Sequence, residues 1–307
     1  MYKRQDLGTN TFHLLIVEKQ GNELITLHYE YEGVRLGEGG IHKNELTKES
    51  MNRGIETLLK FKKTLIDFNV TDIEAIGTSA LRNAKNAQDF VNKVFEKTGI
   101  SITIISGEKE AELIYQGVTF GVTLQKEHNY LIMDIGGGSI EFIICNTSGI
   151  LWKQSFEIGG QRLIRSFHQH DPILNSEISA LTNYLTDNLK SLKDAILKYL
   201  PKKLIGASGA FDTLYDIHIK QNNFSKSEHN PCYELTLNEC FKMTEEIIKK
   251  SEKERNNIVG MIPLRVRMMV VASILIEYVL KEYKIESLIC TDYALKEGVS
   301  YNFLVEN

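Results

Sequence analysis

Two stretches of this chain repeat one local pattern. Asp6-Leu7-Gly8-Thr9-Asn10-Thr11 runs into a β-forming run over 12–17, and Asp134-Ile135-Gly136-Gly137-Gly138-Ser139-Ile140-Glu141 runs into another over 142–144. Each places an Asp before a glycine- or hydroxyl-rich turn. Glycine lets a tight turn aim several backbone N–H groups at one point, which makes an anion nest. An Asp beside such a nest can hold a hydrated Mg²⁺ or orient a water molecule. The two copies are 128 residues apart, which suggests two related domains facing each other across a phosphate group. Three glycines in a row would weaken a purely structural hairpin, so Gly136, Gly137 and Gly138 read as the nest rather than as a plain turn. Ser139 adds a hydroxyl donor, and Glu141, two residues on, shares its strand face.

Other residues have chemistry of the same kind within reach. Glu110 sits in Ser106-Gly107-Glu108-Lys109-Glu110-Ala111-Glu112. It has two readings: an acid that offsets a helix dipole in the first turn, or a base that polarises a water for attack on phosphorus. Arg82, in Ser79-Ala80-Leu81-Arg82, offers a planar donor fork for phosphate, although a lone arginine on a loop is commonly solvated. Gly206-Ala207-Ser208-Gly209 lies between a strand and a helix, as a third anion site at a helix N-terminus or simply a turn. His168-x-His170 with Asp171 reads as a polar loop before Pro172 rather than as metal ligands. The basic clusters at 198–203 and 249–255 read as solvated faces or as a polyanion path. The chain contains neither a P-loop nor a dinucleotide-binding fingerprint.

The elements that must position these residues alternate. Strands are expected over 12–18, 24–32, 73–77 and 100–105, a helix with one apolar face runs from Met51 to Ile66, and others cover 87–95 and 108–121. The polar run 125–129 marks the boundary between a first domain, 1–124, and a second, 125–307. The second opens as the first does, with strands over 130–134, 140–146 and 151–158. A long helix is expected over 176–199, stopped by Pro201, then a strand over 203–207, a helix from Phe211 and a polar loop over 220–232. Helices near 236–255 and 263–283, a strand over 287–291 and a helix from Ala294 complete it. This order gives α/β domains with mixed sheets. The polar start Met1-Tyr2-Lys3-Arg4-Gln5 stands where the second copy has Tyr130-Leu131-Ile132-Met133, so the first strand reads as truncated or replaced at its start.

Composition narrows the class. A length of 307 residues accommodates two domains, each with its own core, and 42% hydrophobic and 25% charged residues are those of a soluble globular chain. A net charge of -4 argues against general nucleic-acid affinity. Cys145, Cys232, Cys240 and Cys290 lack metal or disulfide spacing and read as thiols. The apolar run 268–276 is too short for a membrane span, and no secretory leader pattern is present, so the expected location is cytoplasmic. The apolar helix over 268–280 has two readings, buried core or homodimer surface.

The motifs together resemble the exopolyphosphatase/guanosine pentaphosphate phosphohydrolase (Ppx/GppA) family of the actin-like ATPase superfamily. The matching stretches are DLGTNTFHLLIVE, IGTSALRNAKNAQDF, ISGEKEAELIYQGV, LIMDIGGGSIEFII, IGASGAFDTL and YALKEGV, in family order along nearly the whole chain. The resemblance implies two actin-like (ribonuclease H-like) domains with the active site in the cleft between them. It implies that Glu110 is the catalytic base. It implies that Asp134, Gly136, Gly137, Gly138, Ser139 and Glu141 bind phosphate and Mg²⁺, with Asp6 as a further metal residue. Thr9, Asn10, Thr11, Arg82 and Gly209 are the remaining expected phosphate contacts. Three positions depart from the family pattern: Ile140 and Ala210 where Thr is usual, and Lys296 where Arg is frequent. The chain also resembles the short members that lack an HD-type C-terminal domain.

The function implied is hydrolysis of terminal phosphoanhydride bonds of inorganic polyphosphate. Two other readings stand beside it: a guanosine pentaphosphate 5′-phosphohydrolase, and a non-catalytic regulator that binds polyphosphate or the alarmone. The implied partner is the polyphosphate or pentaphosphate, with neither nucleic acid nor membrane.

Overall fold

The computed structural model describes residues 2–21, 23–70, 72–224 and 232–305. The first sheet is built from β1 (Tyr2–Leu7), β2 (Phe12–Gln20), β3 (Glu23–Glu32), β4 (Asp72–Gly77) and β5 (Ile102–Ile104), in the order β3-β2-β1-β4-β5. The first three strands are antiparallel and the next two join in parallel. Helices α1 (Lys48–Asp67), α2 (Ser79–Asn83) and α3 (Ala87–Thr98) belong to this half, and α4 (Gly107–Gly121) follows β5.

The second sheet is built from β6 (Tyr130–Ile135), β7 (Ile140–Asn146), β8 (Gly149–Phe156), β9 (Lys203–Ala207), β10 (Cys232–Leu235) and β11 (Ser287–Thr291), in the order β10-β11-β9-β6-β7-β8. Without the edge strand β10, its order and strand directions repeat those of the first sheet. The repeat extends to register. Leu7 pairs with Phe12 across a four-residue turn, and Ile135 pairs with Ile140 across another. Asp6 therefore faces His13 across its hairpin, as Asp134 faces Glu141. The helices of this half are α5 (Gly160–Phe167), α6 (Asn175–Asn188), α7 (Lys190–Tyr199), α8 (Gly209–Gln221), α9 (Leu237–Lys249), α10 (Glu252–Asn256), α11 (Met268–Glu282) and α12 (Leu295–Val305).

Two apolar cores lie on the outer faces of the sheets, one around Phe12, Leu58, Phe61 and Phe90, the other around Phe142, Leu185, Phe211 and Leu275. A third joins Ile76 of the first sheet to Ile132, Ile143 and Ile205 of the second through α4 and α12. Each fully buried isoleucine there contributes roughly 1.5–3 kcal/mol. The two helices cross too closely for side chains: a Cβ on Gly117 would lie 1.9 Å from the Ala294 carbonyl, and one on Gly298 1.7 Å from that of Leu113. Thus α12, expected with the second half, packs on α4 and on β1 of the first.

Several elements differ from expectation. The helix expected over 176–199 divides into α6 and α7 at Leu189, where the Asn188 amide donates back to the Tyr184 carbonyl and the chain turns onto β8. The helix expected to 255 ends at Lys249, because Lys250 is extended and Ser251 with Glu254 forms a new capping box. Pro263 opens a short 3₁₀ turn, Pro263–Arg265, and α11 begins only at Met268. Residues 79–83 form the one-turn helix α2, and an edge strand, 232–235, begins where the expected polar loop over 220–232 ends; residues 225–231 of that loop lie outside the described residues. Despite its polar start, β1 pairs over all of Tyr2–Leu7 with β2 and β4, six residues like β6. Nearly all of α11 is buried, from Met268 to Leu280, so it is core rather than an exposed dimer face.

Candidate active site

The two hairpin turns meet. A Cβ on Gly137 would lie 3.2 Å from Cβ of Thr9 and 3.3 Å from that of Asn10, and one on Gly138 would lie 2.5 Å from Ser79 Oγ and 2.6 Å from Thr9 Oγ1. Only glycine allows this approach. The carbonyls of Gly136, Gly137 and Gly138 accept from the N–H groups of Gly160, Gln161 and Gly159. The N–H edges of those planar peptides are thereby turned away from α5. This is the arrangement of an anion nest.

The turns form one wall of a cavity of about 130 Å³ that also contains Asp6, Thr9, Asn10, Thr11, Glu110, Asp134, Ser139, Glu141 and Gly209. Most of the residues singled out in the sequence therefore converge. Glu110 comes from the first turn of α4, whose N-cap is Ser106, and its side chain is buried rather than solvated. Asp6 and Asp134 are the next-to-last residues of β1 and β6, and Glu141 is the second residue of β7. Arg82 is placed one side chain back. Its Nη1 donates to Glu110 Oε2 at 2.8 Å, so it borders the cavity through that carboxylate. Gly209 opens α8, but Arg265 lies over it and donates to its carbonyl. Ile140 and Ala210, two of the three family departures, are fully buried in the core and line no part of the cavity, whereas the third, Lys296, lines it.

The cavity is electrostatically unbalanced. Burial, with Glu110 and Asp134 nearby, pushes the Asp6 carboxyl up to about 8, and one of its oxygens is buried without a hydrogen-bond partner. Burial and Glu110 push Asp134 up to about 7 against a hydrogen bond from Ser208. Burial, Glu110 and Asp134 hold Glu141 well above the usual carboxylate range, although Ser155 donates to it at 2.6 Å. Burial also raises Glu110, opposed by Arg82. Crowded, desolvated carboxylates with an orphaned oxygen fit a divalent cation. Among the described residues no three His, Cys, Asp or Glu side chains are arranged to hold a metal ion directly. The donor set therefore suits a hydrated ion held through water, as Mg²⁺ is commonly bound. His168 and His170 are no part of this: they contact Asp171 and Glu177.

Several cavity residues gave no isolated signal in the sequence. Lys296 is buried. Burial opposes its charge, but Glu297, Tyr29 and Asp212 hold the proton and raise its pKa. His13 lies against Tyr29, Nδ1 to hydroxyl 2.9 Å, and burial with Lys296 and Arg265 pushes it down to about 3, so it is neutral. Glu157, just beyond β8, accepts from Ser79 Oγ at 2.6 Å, Asn83 Nδ2 at 2.8 Å and Arg82 Nη2 at 2.9 Å, which ties the two halves together beside the cavity. The resemblance motifs included Lys296, whereas Glu157 sits among residues that no spacing marks.

Comparison with known proteins agrees with this geometry. The model of the Ppx/GppA phosphatase family matches residues 15–307. An exopolyphosphatase from Cytophaga hutchinsonii, solved by crystallography, is 42% identical with a TM-score of 0.96, covering 99% of this chain and 98% of that one. A Ppx/GppA family member from Aquifex aeolicus shares the fold at 21% identity, TM-score 0.81, over 99% of this chain and 97% of that one. A bifunctional 3-dehydroquinate synthase/phosphatase of Fusobacterium nucleatum is 32% identical over 310 residues, spanning 96% of this chain. The chain spans about half the length of that curated relative, 46%. Family match, duplicated α/β architecture and the paired turns agree: this chain belongs to the Ppx/GppA phosphatase family.

Proposed function

We propose that this protein hydrolyses terminal phosphoanhydride bonds of inorganic polyphosphate and releases phosphate. The observation that carries the reading is the convergence of Glu110, Asp6, Asp134 and Glu141 on the turn of Gly136, Gly137, Gly138 and Ser139. The 42% identity to the Cytophaga hutchinsonii exopolyphosphatase supports the choice of substrate.

In this reading the glycine turn, Ser139, Thr9, Asn10 and Thr11 bind and orient the terminal phosphoryl group. Glu110 positions a water in line with the bridging bond and accepts its proton; Arg82 opposes the rise in pKa that burial imposes on this carboxylate. The water oxygen bonds to phosphorus, the P–O–P bridge breaks, and the shortened chain leaves with the bond's electron pair. Asp6, Asp134 and Glu141 would hold hydrated Mg²⁺, which neutralises charge on the phosphoryl oxygens. Burial of the carboxylates limits bulk water.

A second reading rests on the aromatic edge of the cavity. His13 stacks on Tyr29 at 6.1 Å with 13° between planes, and Tyr31 lies 6.0 Å from His13. Such rings stack on a nucleobase, which favours a guanosine pentaphosphate. The test is phosphate release from polyphosphate and from guanosine pentaphosphate, with and without Mg²⁺, for wild type and Glu110→Gln. Metal-dependent release from polyphosphate that collapses in Glu110→Gln is expected. Release from pentaphosphate alone would move the assignment to the second reading. Binding without release from either would make the protein a regulator.

A further inference from the structure

A second cleft, of about 460 Å³, lies behind the glycine turn, on the far side of α5 from the cavity. That size is within the range of small-molecule sites. Its cationic lining is Arg165 and Arg267, beside the imidazoles of His42 and His168, both held below their ordinary pKa by burial and neighbouring cations, and a single acid, Glu38. Glu38 is already engaged by Arg53 at 2.9 Å and Arg35 at 3.7 Å, while Arg267 faces Glu252 at 3.7 Å through Nε, on a side chain that is largely exposed. Burial, then Arg165, Arg162 and Lys43, push His42 below its ordinary pKa, so several cations act at this point. His168 is 6% exposed, and neither ring nitrogen makes a hydrogen bond among the described residues; Asp171 Oδ1 stands 3.5 Å from Nε2. A local excess of positive charge in a chain of net charge -4 attracts anions.

The cleft shares a wall with the cavity. Gln161 lines the cleft, while its N–H donates to the Gly137 carbonyl at 2.8 Å and its amide to Asn10 Oδ1 at 3.1 Å. Arg267 lines the cleft and the next residue, Met268, lines the cavity. One side of the cleft, residues 37–42, belongs to the first half of the chain; the other, α5 and Arg267, belongs to the second.

We propose that this cleft is a second anion site, in which Arg165, Arg267 and His42 bind a condensed phosphate. An anion there bridges the two halves and abuts the glycine turn. The choice of anion rests on the phosphoanhydride reading above; the site itself rests on the cleft. The same chemistry fits the distal phosphates of a bound chain or a separate oligophosphate.

The test is calorimetric titration of inorganic tripolyphosphate in the Glu110→Gln background, which silences turnover. Arg165 and Arg267 are exposed, so Arg165→Gln/Arg267→Gln should keep the fold, checked by its thermal midpoint. Removing two charged donors should weaken one class of binding by about tenfold or more. Gly138→Ala, which obstructs the glycine turn, should leave that class in place. An isotherm unchanged by the double substitution, in a folded protein, overturns the proposal. If the double variant does not fold, Arg165→Gln alone decides by the same criterion. Loss of this binding in a protein whose wild type releases no phosphate would sink the hydrolase reading while the cleft stands. With Glu110 intact, a KM that rises in the double variant only for long chains assigns the cleft to the substrate's tail. A KM unaltered at every length assigns it to a separate oligophosphate.

Discussion

The carboxylate of Glu157 lies 2.9 Å from Nη2 of Arg82, on the side opposite Glu110. Glu157 also receives the Arg82 Nε at 3.2 Å, so it grips the outer fork of the guanidinium while Nη1 points at Glu110. A guanidinium held on two sides aims its charge; one held on a single side swings. Glu157 is therefore a positioning residue for the Arg82–Glu110 pair. Glu157→Gln should lower kcat about tenfold with a small change in KM, since positioning acts in the transition state more than in binding. The Glu157 side chain is 39% exposed, so loss of its ion pair should cost under about 1 kcal/mol of stability. An equal fall in turnover and thermal midpoint would reduce Glu157 to a structural tie.

Glu110→Gln keeps the shape of the side chain and one acceptor oxygen for Arg82 but removes the base. Turnover should fall by roughly 10²–10⁴, the usual range for a general base, with KM little changed. Phosphate release under saturating substrate measures it. Near-full turnover would leave Glu110 with only its Arg82 contact.

Proton linkage supplies a third prediction. Asp6 rises from an ordinary 3.8 to about 8, and Asp134 from 3.8 to about 7. A raised carboxyl pKa means that the folded state holds protons the unfolded state has released. The stabilising contribution is full below the ordinary pKa and is lost as pH rises through the folded one. Metal-free protein should therefore lose thermal stability between about pH 4 and pH 8, and Mg²⁺ should restore more of it near pH 8 than near pH 5. Asp6→Asn should flatten the pH slope and shrink the Mg²⁺ response. A Mg²⁺ response that is equal in wild type and Asp6→Asn would remove Asp6 from the metal site.

Gln5 is 1% exposed in the middle of β1, and neither atom of its amide has a hydrogen-bond partner among the described residues. The corresponding residue of the second copy is Met133, fully buried. Gln5→Met keeps the length of the side chain and removes an unsatisfied polar group. It should stabilise the fold by about 1–3 kcal/mol in denaturant titrations, with activity unchanged. Destabilisation would mean that the amide has a partner, such as a bound water.

Gly138→Ala sets a methyl 2.5 Å from Ser79 Oγ and 2.6 Å from Thr9 Oγ1, inside the contact between the two turns. kcat/KM should fall more than tenfold through KM, because the added carbon displaces phosphate donors rather than the base. An unaltered KM for polyphosphate would place the terminal phosphate elsewhere.

What the sequence determined by itself was local and periodic. Turn chemistry located both hairpins, because glycine permits the tight backbone of a turn and disfavours continuation of a strand. Alternation and helical spacing located most strands and helices, and the repeat of one order predicted the two matching sheets. The tertiary structure decided what depends on distant segments meeting. Glu157 reaches Arg82 across 75 residues, and Lys296 and Arg265 arrive at the cavity from the C-terminal region. It placed Glu110 inside the cavity, since an acid in a first helical turn is alike in sequence whether solvated or sealed beside Asp134. It also divided the helix at Leu189, where a side-chain bond and the pull of a buried surface outweighed propensity. Charge makes the final distinction: a carboxylate's pKa depends on the water it loses and the charges it meets, and both are set by the packing of one half of the chain against the other.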